Sequence, residues 1–479
     1  MQKNHHTFFI NGGWVEPESK SRIEIINAAT EEVIGSVPEA NECDVDKAVA
    51  AARHAFTESD WATCSPAIRG AAINRFADAL EKRGSKLAEA VSVQNGMPIN
   101  TADQLESGYS VALLRYYAAL ASNMATDENR ASPLGFNTVV QKKPIGVVGA
   151  IIPWNFPVIL SIMKIGPALA AGCTIVLKPS PGTVLDSYIV AEAAEEANFP
   201  PGVINWVPGG RELGAYLVSH PGVDKVAFTG STAAGREIAQ ACGKLLRPVS
   251  LELGGKSASI ILDDANLEAV LQGLPSVSMT SNGQACFSCT RILVPNSRYA
   301  EFVDAIATTV ASYKVGDPLD RATQIGPMGS SAHRDRVEAY IAKGKAEAKL
   351  VAGGGKMSDL PRGWFVQPTV FADVNNSSTI AQEEIFGPVL SIIRYQDENE
   401  AIKIANDSMY GLGGTIWSQD REHAMKLANR VATGTLGING YMPDMNAPFG
   451  GVKSSGLGRE MGPESIASYQ QIKSIYVMG

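Results

Sequence analysis

Two alternations along the sequence predict an α/β protein built on parallel sheets. From 137 to 229, apolar β-branched runs alternate with helical segments and short Gly/Pro turns, and after Glu252 a second series of the same kind begins. Strands that are apolar throughout, with no in-out alternation, suit a sheet covered by helices on both faces. A third observation is that short strand-like stretches at both ends of the chain belong to neither series.

The 479 residues suffice for two or three domains, and 45% hydrophobic with 19% charged residues is ordinary for a globular chain. A net charge of −8 with no long Lys/Arg block argues against a nucleic-acid partner and for small-molecule chemistry. Six cysteines lie scattered, without the dense spacing of a disulfide scaffold, which suits the reducing cytosol. Cys286-x-x-Cys289 has no second Cys/His pair near it in sequence, so no metal site is expected. The N-terminus has no apolar leader, and Gly, Pro, Lys or Asn interrupts every apolar run before the ~18 residues of a membrane span. Neither export nor a membrane anchor is expected.

Residues 8–37 alternate apolar runs with Gly-Gly and Asn-Ala-Ala-Thr turns, which predicts short strands in hairpins. Helices follow over 44–56, 67–83 and 103–121, each with apolar residues at helical spacing, the first opened by an Asp. Two β-rich runs broken by Pro144 and Gly146 lead into helix 159–171, strand 173–178, helix 184–197, strand 203–207, helix 212–219 and strand 225–229. This is a βαβ series, hence a parallel sheet. The second series takes in 259–262, 292–294, 350–353, 389–395 and 435–438, and the β-branched run 472–477 ends the chain with no evident strand partner in its own neighbourhood.

Chemistry concentrates in a few stretches. Ser281-Asn-Gly-Gln-Ala-Cys-Phe-Ser-Cys-Thr-Arg291 sets Cys286 in a Gly/Ser/Asn-rich turn before a strand. Such a thiol is either a small apolar core residue or a nucleophile, and the second role needs N–H groups or a base that stabilises the thiolate. Leu251-Glu-Leu-Gly-Gly-Lys-Ser257 offers a carboxylate, Glu252, beside a Gly-Gly turn. Asn155, after a buried strand, has an amide suited to an oxyanion or to its own turn. Phe228-Thr-Gly-Ser-Thr-Ala-Ala-Gly-Arg236 joins a strand to a helix, as a phosphate-facing turn or only a tight connection. Lys178 ends a strand at the edge where open α/β sheets bind ligands, unless it is merely a solvated strand end.

With Phe9-Ile-Asn-Gly-Gly-Trp14, Pro153-Trp-Asn-Phe-Pro157, Glu384-Ile-Phe-Gly-Pro388 and Pro448-Phe-Gly-Gly451, these segments resemble the aldehyde dehydrogenase superfamily over essentially the whole chain. The resemblance implies a Rossmann-like parallel-sheet cofactor domain, an α/β catalytic domain and a small β oligomerisation flap. Residues 1–124 and 146–252 fall to the cofactor domain, 253–432 to the catalytic domain, and 125–145 and 463–479 to the flap; 433–462 return to the cofactor domain and carry an active-site loop. A cytoplasmic homodimer or homotetramer is implied, in which the terminal strand pairs with another subunit's sheet.

The same resemblance implies roles. Cys286 attacks the aldehyde, Asn155 and the Cys286 N–H hold the oxyanion, and Glu252 activates the water that hydrolyses the thioester. Lys164 and Glu460 match proton-relay positions, or form a structural ion pair. The cofactor is NAD, held by Ile151, Pro153, Trp154, Lys178, Ser180, Gly214, Phe228, Gly230, Ser231, Leu253, Glu384 and Phe386. Pro181 stands where NAD-preferring relatives often carry a glutamate, so NADP is expected to be accepted too. Phe156, Ile159, Met163, Phe287, Met442 and Phe449 map to the substrate walls, with no charge among them, which favours an aromatic, terpenoid or medium-chain aliphatic aldehyde. Cys289 replaces a usual small residue and could cap Cys286 on oxidation. The competing readings are an NADP-linked semialdehyde dehydrogenase, a CoA-acylating relative, which would lack Glu252, and a non-catalytic binding protein, which would not keep Cys286, Glu252, Asn155, Lys178 and Glu384 together.

Overall fold

The computed structural model describes residues 4–478. Its first large sheet runs, edge to edge, Gly456–Leu457, Val249–Glu252, Lys225–Thr229, Val147–Ile151, Thr174–Lys178 and Ile204–Trp206. All neighbours are parallel except Gly456–Leu457, which lies antiparallel on Val249–Glu252. The three central strands are buried at every residue, including the polar Thr174, Lys178, Lys225 and Thr229 at the strand ends; their apolar interiors suit a sheet covered on both faces. The chain starts in Val147–Ile151, builds outward to one side, then crosses back to build the other. The strand order therefore reverses beside Val147–Ile151, and the crevice at the carboxyl ends there collects Pro153, Asn155, Lys178 and Gly230.

The second sheet runs Lys349–Ala352, Thr369–Ala372, Val389–Tyr395, Arg291–Pro295, Ala258–Ile261, Gly414–Trp417 and Gly437–Ile438. It is parallel but for one edge: Lys349–Ala352, read from the sequence as one more strand of the series, lies antiparallel on Thr369–Ala372 with a register shift. Its residues are exposed or half-buried, as an edge strand's are. The run 472–477 finds its partner inside the described chain: Gln470–Val477 pairs antiparallel with Asn137–Pro144, which pairs with Asp127–Ala131. Asn137–Pro144 is remote in sequence, which hides the pairing from a reading of the terminal run's own neighbourhood.

The helix expected over 103–121 is not uniform. Ala102–Tyr109 opens into a wider π-helix before Ser110–Ser122 continues as an α-helix. The wide turn buries the Glu106 carboxylate, which accepts the Val158 N–H at 2.7 Å, near the start of helix Pro157–Ala171. Burial raises the Glu106 pKa to about 8.

The two sheets meet through glycines. Strand Val249–Glu252 leads through Gly254 and Gly255 into strand Ala258–Ile261 of the second sheet. A Cβ on Gly255 would sit 2.3 Å from the Cys286 carbonyl oxygen, and one on Gly254 would sit 2.4 Å from Glu384 Oε2. Neither contact leaves room for a methyl group, and the first is against backbone. Gly255→Ala must therefore push the Cys286 turn away; kcat/KM for aldehyde oxidation is expected to fall about a hundredfold, the cost of misplacing a reacting group by about 1 Å. Steady-state kinetics on a variant shown by circular dichroism to be folded checks this, and a loss below threefold contradicts it.

Candidate active site

Cys286 sits at the end of a turn held by buried amides. Ser281 and Asn282 both take left-handed backbone angles (φ 49° and 63°), and a Cβ on the next residue, Gly283, would meet the Gly387 carbonyl oxygen at 2.3 Å. The Asn282 side chain fixes the strained turn: Nδ2 donates to the Gly96 and Pro327 carbonyls at 2.8 and 2.9 Å, and Oδ1 accepts the Gly326 N–H at 2.7 Å. Gln284 Oε1 accepts the Gly329 N–H at 2.9 Å, while Nε2 reaches the Asn95 carbonyl. Asn95 Nδ2 in turn donates to the carbonyls of Trp154 and Asn155, both at 3.1 Å. Asn155 is nine-tenths buried and gives one amide hydrogen to the Gln284 carbonyl at 2.9 Å. A side-chain amide has two donors, so one N–H of Asn155 stays unspent beside Cys286.

The electrostatics place a protonated thiol among acids. Cys286 faces a cavity on one side yet lies deep in the molecule, and burial pushes its pKa well up, aided by the charges of Glu384 and Glu252. Its own N–H and that of Phe287 pull the other way and are the groups that would stabilise a thiolate. Glu252 also lies far above the carboxylate range, first from burial and then from repulsion by Glu460, against the attraction of Lys164 and Arg459. Glu252 does not line the cavity at Cys286. Its Oε1 lies 2.6 Å from where a Gly450 Cβ would be, and its buried Oε2 has no partner.

Lys164 and Glu460 are ion-paired at 2.7 Å with essentially no exposure, and Lys164 Nζ also donates to Thr229 Oγ1 at 2.6 Å. The pair ties helix Pro157–Ala171 to the end of strand Lys225–Thr229 and to the segment after Phe449. Glu460 and Phe449 exchange both backbone hydrogen bonds, at 2.7 and 2.8 Å.

An apolar cavity of about 70 Å³ opens onto Cys286. All six residues assigned to the substrate walls line it: Phe156, Ile159, Met163, Phe287, Met442 and Phe449. So do Asn155 and five residues that sequence reasoning misses: Leu105, Tyr109, Leu160, Pro443 and Met461. Leu105 and Tyr109 come from the π-turn, which shifts side chains off regular helical spacing and leaves no periodic signal. Cys289 is excluded from this cavity. It is wholly buried in the core of the second sheet, and both thiols are free.

The crevice residues fit a dinucleotide. Lys178 is no solvated strand end: it is 5% exposed, donates to the Gly209 carbonyl at 2.6 Å and that of Pro179 at 3.0 Å, and has its pKa pulled to about 8 by burial against the opposing charge of Glu39. Gly214 packs on the Lys178 stem beside Ile151. Ser231 caps helix Thr232–Lys244, taking the Ala234 N–H, so the N–H-rich helix end follows Gly230. Gly230 and Gly235 make room for the rings and branches of Phe228 and Leu253. Glu384 accepts the Gly255 N–H at 3.0 Å, and burial raises its pKa to about 7. Phe386, at φ 66°, meets the Trp154 ring edge-on at 5.6 Å, next to Pro153. Ser180 is half-buried with its hydroxyl taking the Gly182 N–H, and Pro181 is exposed.

Comparison with known proteins accords with this geometry. A model of the aldehyde dehydrogenase family matches residues 14–475. A geranial dehydrogenase of Castellaniella defragrans is 65% identical over 479 residues, all of both chains. The crystal structure of a Mycobacterium tuberculosis aldehyde dehydrogenase complexed with NAD+ is 45% identical, covers 100% of this chain and 99% of its own, and superposes with a TM-score of 0.97. A Pseudomonas syringae aldehyde dehydrogenase mutant, solved with NAD+ and octanal, is 39% identical with a TM-score of 0.94, covering 98% of this chain and 96% of its own. With a thiol and an amide donor at an apolar cavity on this fold, and with a family model matching nearly its whole length, the chain belongs to the aldehyde dehydrogenase family.

Proposed function

We propose that the protein oxidises an apolar aldehyde, with terpenoid aldehydes of the geranial type foremost, to the carboxylic acid with NAD+. The observation that carries this reading is the cavity at Cys286, whose lining is apolar apart from Asn155, Cys286 itself and Tyr109, whose hydroxyl donates to the Pro443 carbonyl at 2.9 Å. A relative with 65% identity is a geranial dehydrogenase, and octanal lies in another relative's structure. A semialdehyde carrying a carboxylate would find no cation among these walls, and Glu252 keeps the water-activating carboxylate a CoA-acylating enzyme has no use for.

Bound NAD+ supplies the hydride acceptor. Lys178 and Glu384 would hold its ribose hydroxyls, Ser231 with its helix end the pyrophosphate, and Ile151, Pro153, Trp154, Gly214, Phe228, Gly230, Leu253 and Phe386 the surrounding surface. The Cys286 thiol gives its proton to water as its sulfur adds to the aldehyde carbon and the carbonyl π bond opens; the free N–H of Asn155 and the Cys286 N–H receive the negative oxygen. After hydride loss the carbon is a thioester on Cys286. Glu252, in its ionised form, takes a proton from water, the water oxygen adds to the thioester carbon, and the acid departs as the thiol is restored. The unpartnered Oε2 is the atom free to bind that water. Lys164 and Glu460 form the neighbouring charge pair through which that proton leaves.

NADP is accepted at a lower rate in this reading, because exposed Pro181 and Ser180 present no anion to a 2′-phosphate and Lys178 adds a cation, while the nearby charge of Glu39 keeps NAD preferred. The protein acts as a cytoplasmic homodimer or homotetramer. Six free thiols and the exposed Ile472, Tyr476 and Val477 on the outermost strand of the small sheet support that.

In a panel scored by kcat/KM, geranial, benzaldehyde and hexanal are expected to exceed succinic semialdehyde by at least tenfold, with NAD ahead of NADP but NADP measurable. A semialdehyde at the top of the panel sinks the substrate reading, and no NADP turnover sinks the cofactor part. Glu252→Gln should release one burst of NADH per site and then stall, with steady turnover down about a hundredfold or more, whereas Cys286→Ala should give no burst. Stopped-flow fluorescence separates the two; a normal steady rate in Glu252→Gln means another group activates the water.

Acidity adds a further expectation. Since Glu252 acts ionised and its pKa is raised, the rate of deacylation should climb with pH through a range well above ordinary carboxylates. In Glu460→Gln the repelling charge is gone while Lys164 stays, so the acidic limb of the profile should move to lower pH. An unmoved limb in a folded variant would show that Glu252 is not the group titrating.

A further inference from the structure

Helix Pro157–Ala171 starts without a cap of its own. The residue before it, Phe156, offers no side chain that accepts a backbone N–H, and Pro157 has no N–H to satisfy. The first groups that need an acceptor are the N–H of Val158, a fully buried residue, and that of Ile159. Glu106 supplies it from another element: its Oε2 takes the Val158 N–H at 2.7 Å, and the Ile159 N–H acts on the same carboxyl. A cap normally comes from the residue next to the helix, so this one ties the helix start to a distant stretch of chain.

That stretch is the π-turn Ala102–Tyr109, and it borders the cavity at Cys286. Leu105, just before Glu106, and Tyr109, three residues after it, are both wall residues, while the capped helix contributes Ile159, Leu160 and Met163. Glu106 is wholly buried and does not line the cavity, so it acts on a substrate only through these neighbours. Apolar packing has no preferred direction, whereas a hydrogen bond sets distance and angle. Asn155 is held separately, by the Gln284 carbonyl and the Asn95 amide. Burial, with the charge of the equally buried Asp186, favours the protonated form of Glu106 at neutral pH. A protonated carboxyl still has an oxygen that accepts. The bond to Val158 therefore needs an acceptor at that reach and no charge, and a glutamine would supply one.

We propose that Glu106 is a positioning residue for substrate selection: by capping helix Pro157–Ala171 from the π-turn, it sets the spacing of the two walls and so the fit of an apolar chain beyond the carbonyl. Without the cap the buried Val158 N–H is unpaired, and the helix start shifts toward another acceptor. Ile159 and Met163 shift with it relative to Leu105 and Tyr109. An aldehyde that fills the cavity then loses contact, and one too short to touch both walls loses little. The proposal rests on the reading of this cavity as the aldehyde site.

The test scores geranial against acetaldehyde, with NAD, on the wild type and on Glu106→Gln, Glu106→Asp and Glu106→Ala. In Glu106→Ala the geranial-to-acetaldehyde ratio of kcat/KM should fall about tenfold, the worth of a methylene contact in an apolar pocket, through the KM of geranial and with the KM of NAD unchanged. Glu106→Gln should keep the ratio within about twofold of the wild type, because its amide oxygen restores the acceptor. Glu106→Ala decides if it folds by circular dichroism; if it does not, Glu106→Asp, whose carboxyl stops one methylene short, takes its place and should lower the ratio about threefold or more. A ratio that the deciding variant leaves unmoved, an equal loss on both aldehydes, or a Glu106→Gln ratio that falls as far as the deciding variant's overturns the proposal. Alkylation of Cys286 gives a readout without turnover: iodoacetamide and its N-octyl analogue are compared by mass spectrometry of the Cys286 peptide, and the ratio of their rates cancels any change in the thiol itself. The octyl-to-parent ratio should fall in the deciding variant and hold in Glu106→Gln. If the wild type oxidises geranial no better than acetaldehyde, it is the apolar-aldehyde reading that falls, and the labelling ratio still decides whether Glu106 sets the walls.

Discussion

Two glycines that admit no side chain govern the arrangement of the whole site. Gly254 and Gly255 let the end of one sheet lie directly on the backbone of the Cys286 turn and on the carboxylate of Glu384. Three groups from three separate stretches are thereby set by one backbone contact: Glu252, two residues before Gly254; Cys286, whose carbonyl faces Gly255; and Glu384, which takes the Gly255 N–H. The rest of the molecule supports that contact. Buried amides of Asn95, Asn282 and Gln284 pin the turn from behind, and Gly387 backs it at Gly283. A close backbone approach of this kind transmits displacement instead of absorbing it, since packed interiors have little free volume.

Around that contact the protein maintains a set of ionisable groups in a dry region where each is held in the form water would disfavour. The thiol of Cys286 and the carboxyls of Glu252 and Glu384 are all shifted toward their protonated forms by burial first. Beside them Lys164 and Glu460 form a buried ion pair. Whatever enters the cavity displaces water and re-orders these balances, and the lone N–H groups near the sulfur gain weight as the local dielectric falls.

Much of this is legible in the amino-acid sequence. Runs with apolar interiors between Gly- and Pro-containing turns identify the central strands, because burial on both faces leaves no room for polar alternation. The Cys286 turn and the Glu252 block stand out by composition and resemblance, and all six expected wall residues line one cavity. What stays hidden depends on long-range or irregular geometry. The π-turn at Ala102–Tyr109 breaks the period on which helix reading relies, so nothing local marks Leu105 and Tyr109 as wall residues. The antiparallel edge at Lys349–Ala352 has no local signal, and the pairing of Gln470–Val477 with Asn137–Pro144 has none either, the two strands being grouped in one flap only through the resemblance. The direction of the Glu252 carboxylate, toward Gly450 and away from the cavity, follows from a loop that no local pattern predicts.

The ladder between Phe449 and Glu460 carries a final implication for how such an enzyme diversifies. Phe449 shapes the cavity and Glu460 anchors the buried charge pair, and the two residues are locked together by reciprocal backbone bonds. Remodelling the wall at Phe449 to admit a new molecule therefore tugs on the acid that sets the field at Glu252. Selection for a wider repertoire at that position cannot proceed independently of selection on acidity. Lineages, and engineers, that seek new specificity without that penalty have a freer hand at Ile159, which lines the same cavity more than a helical turn away from Lys164.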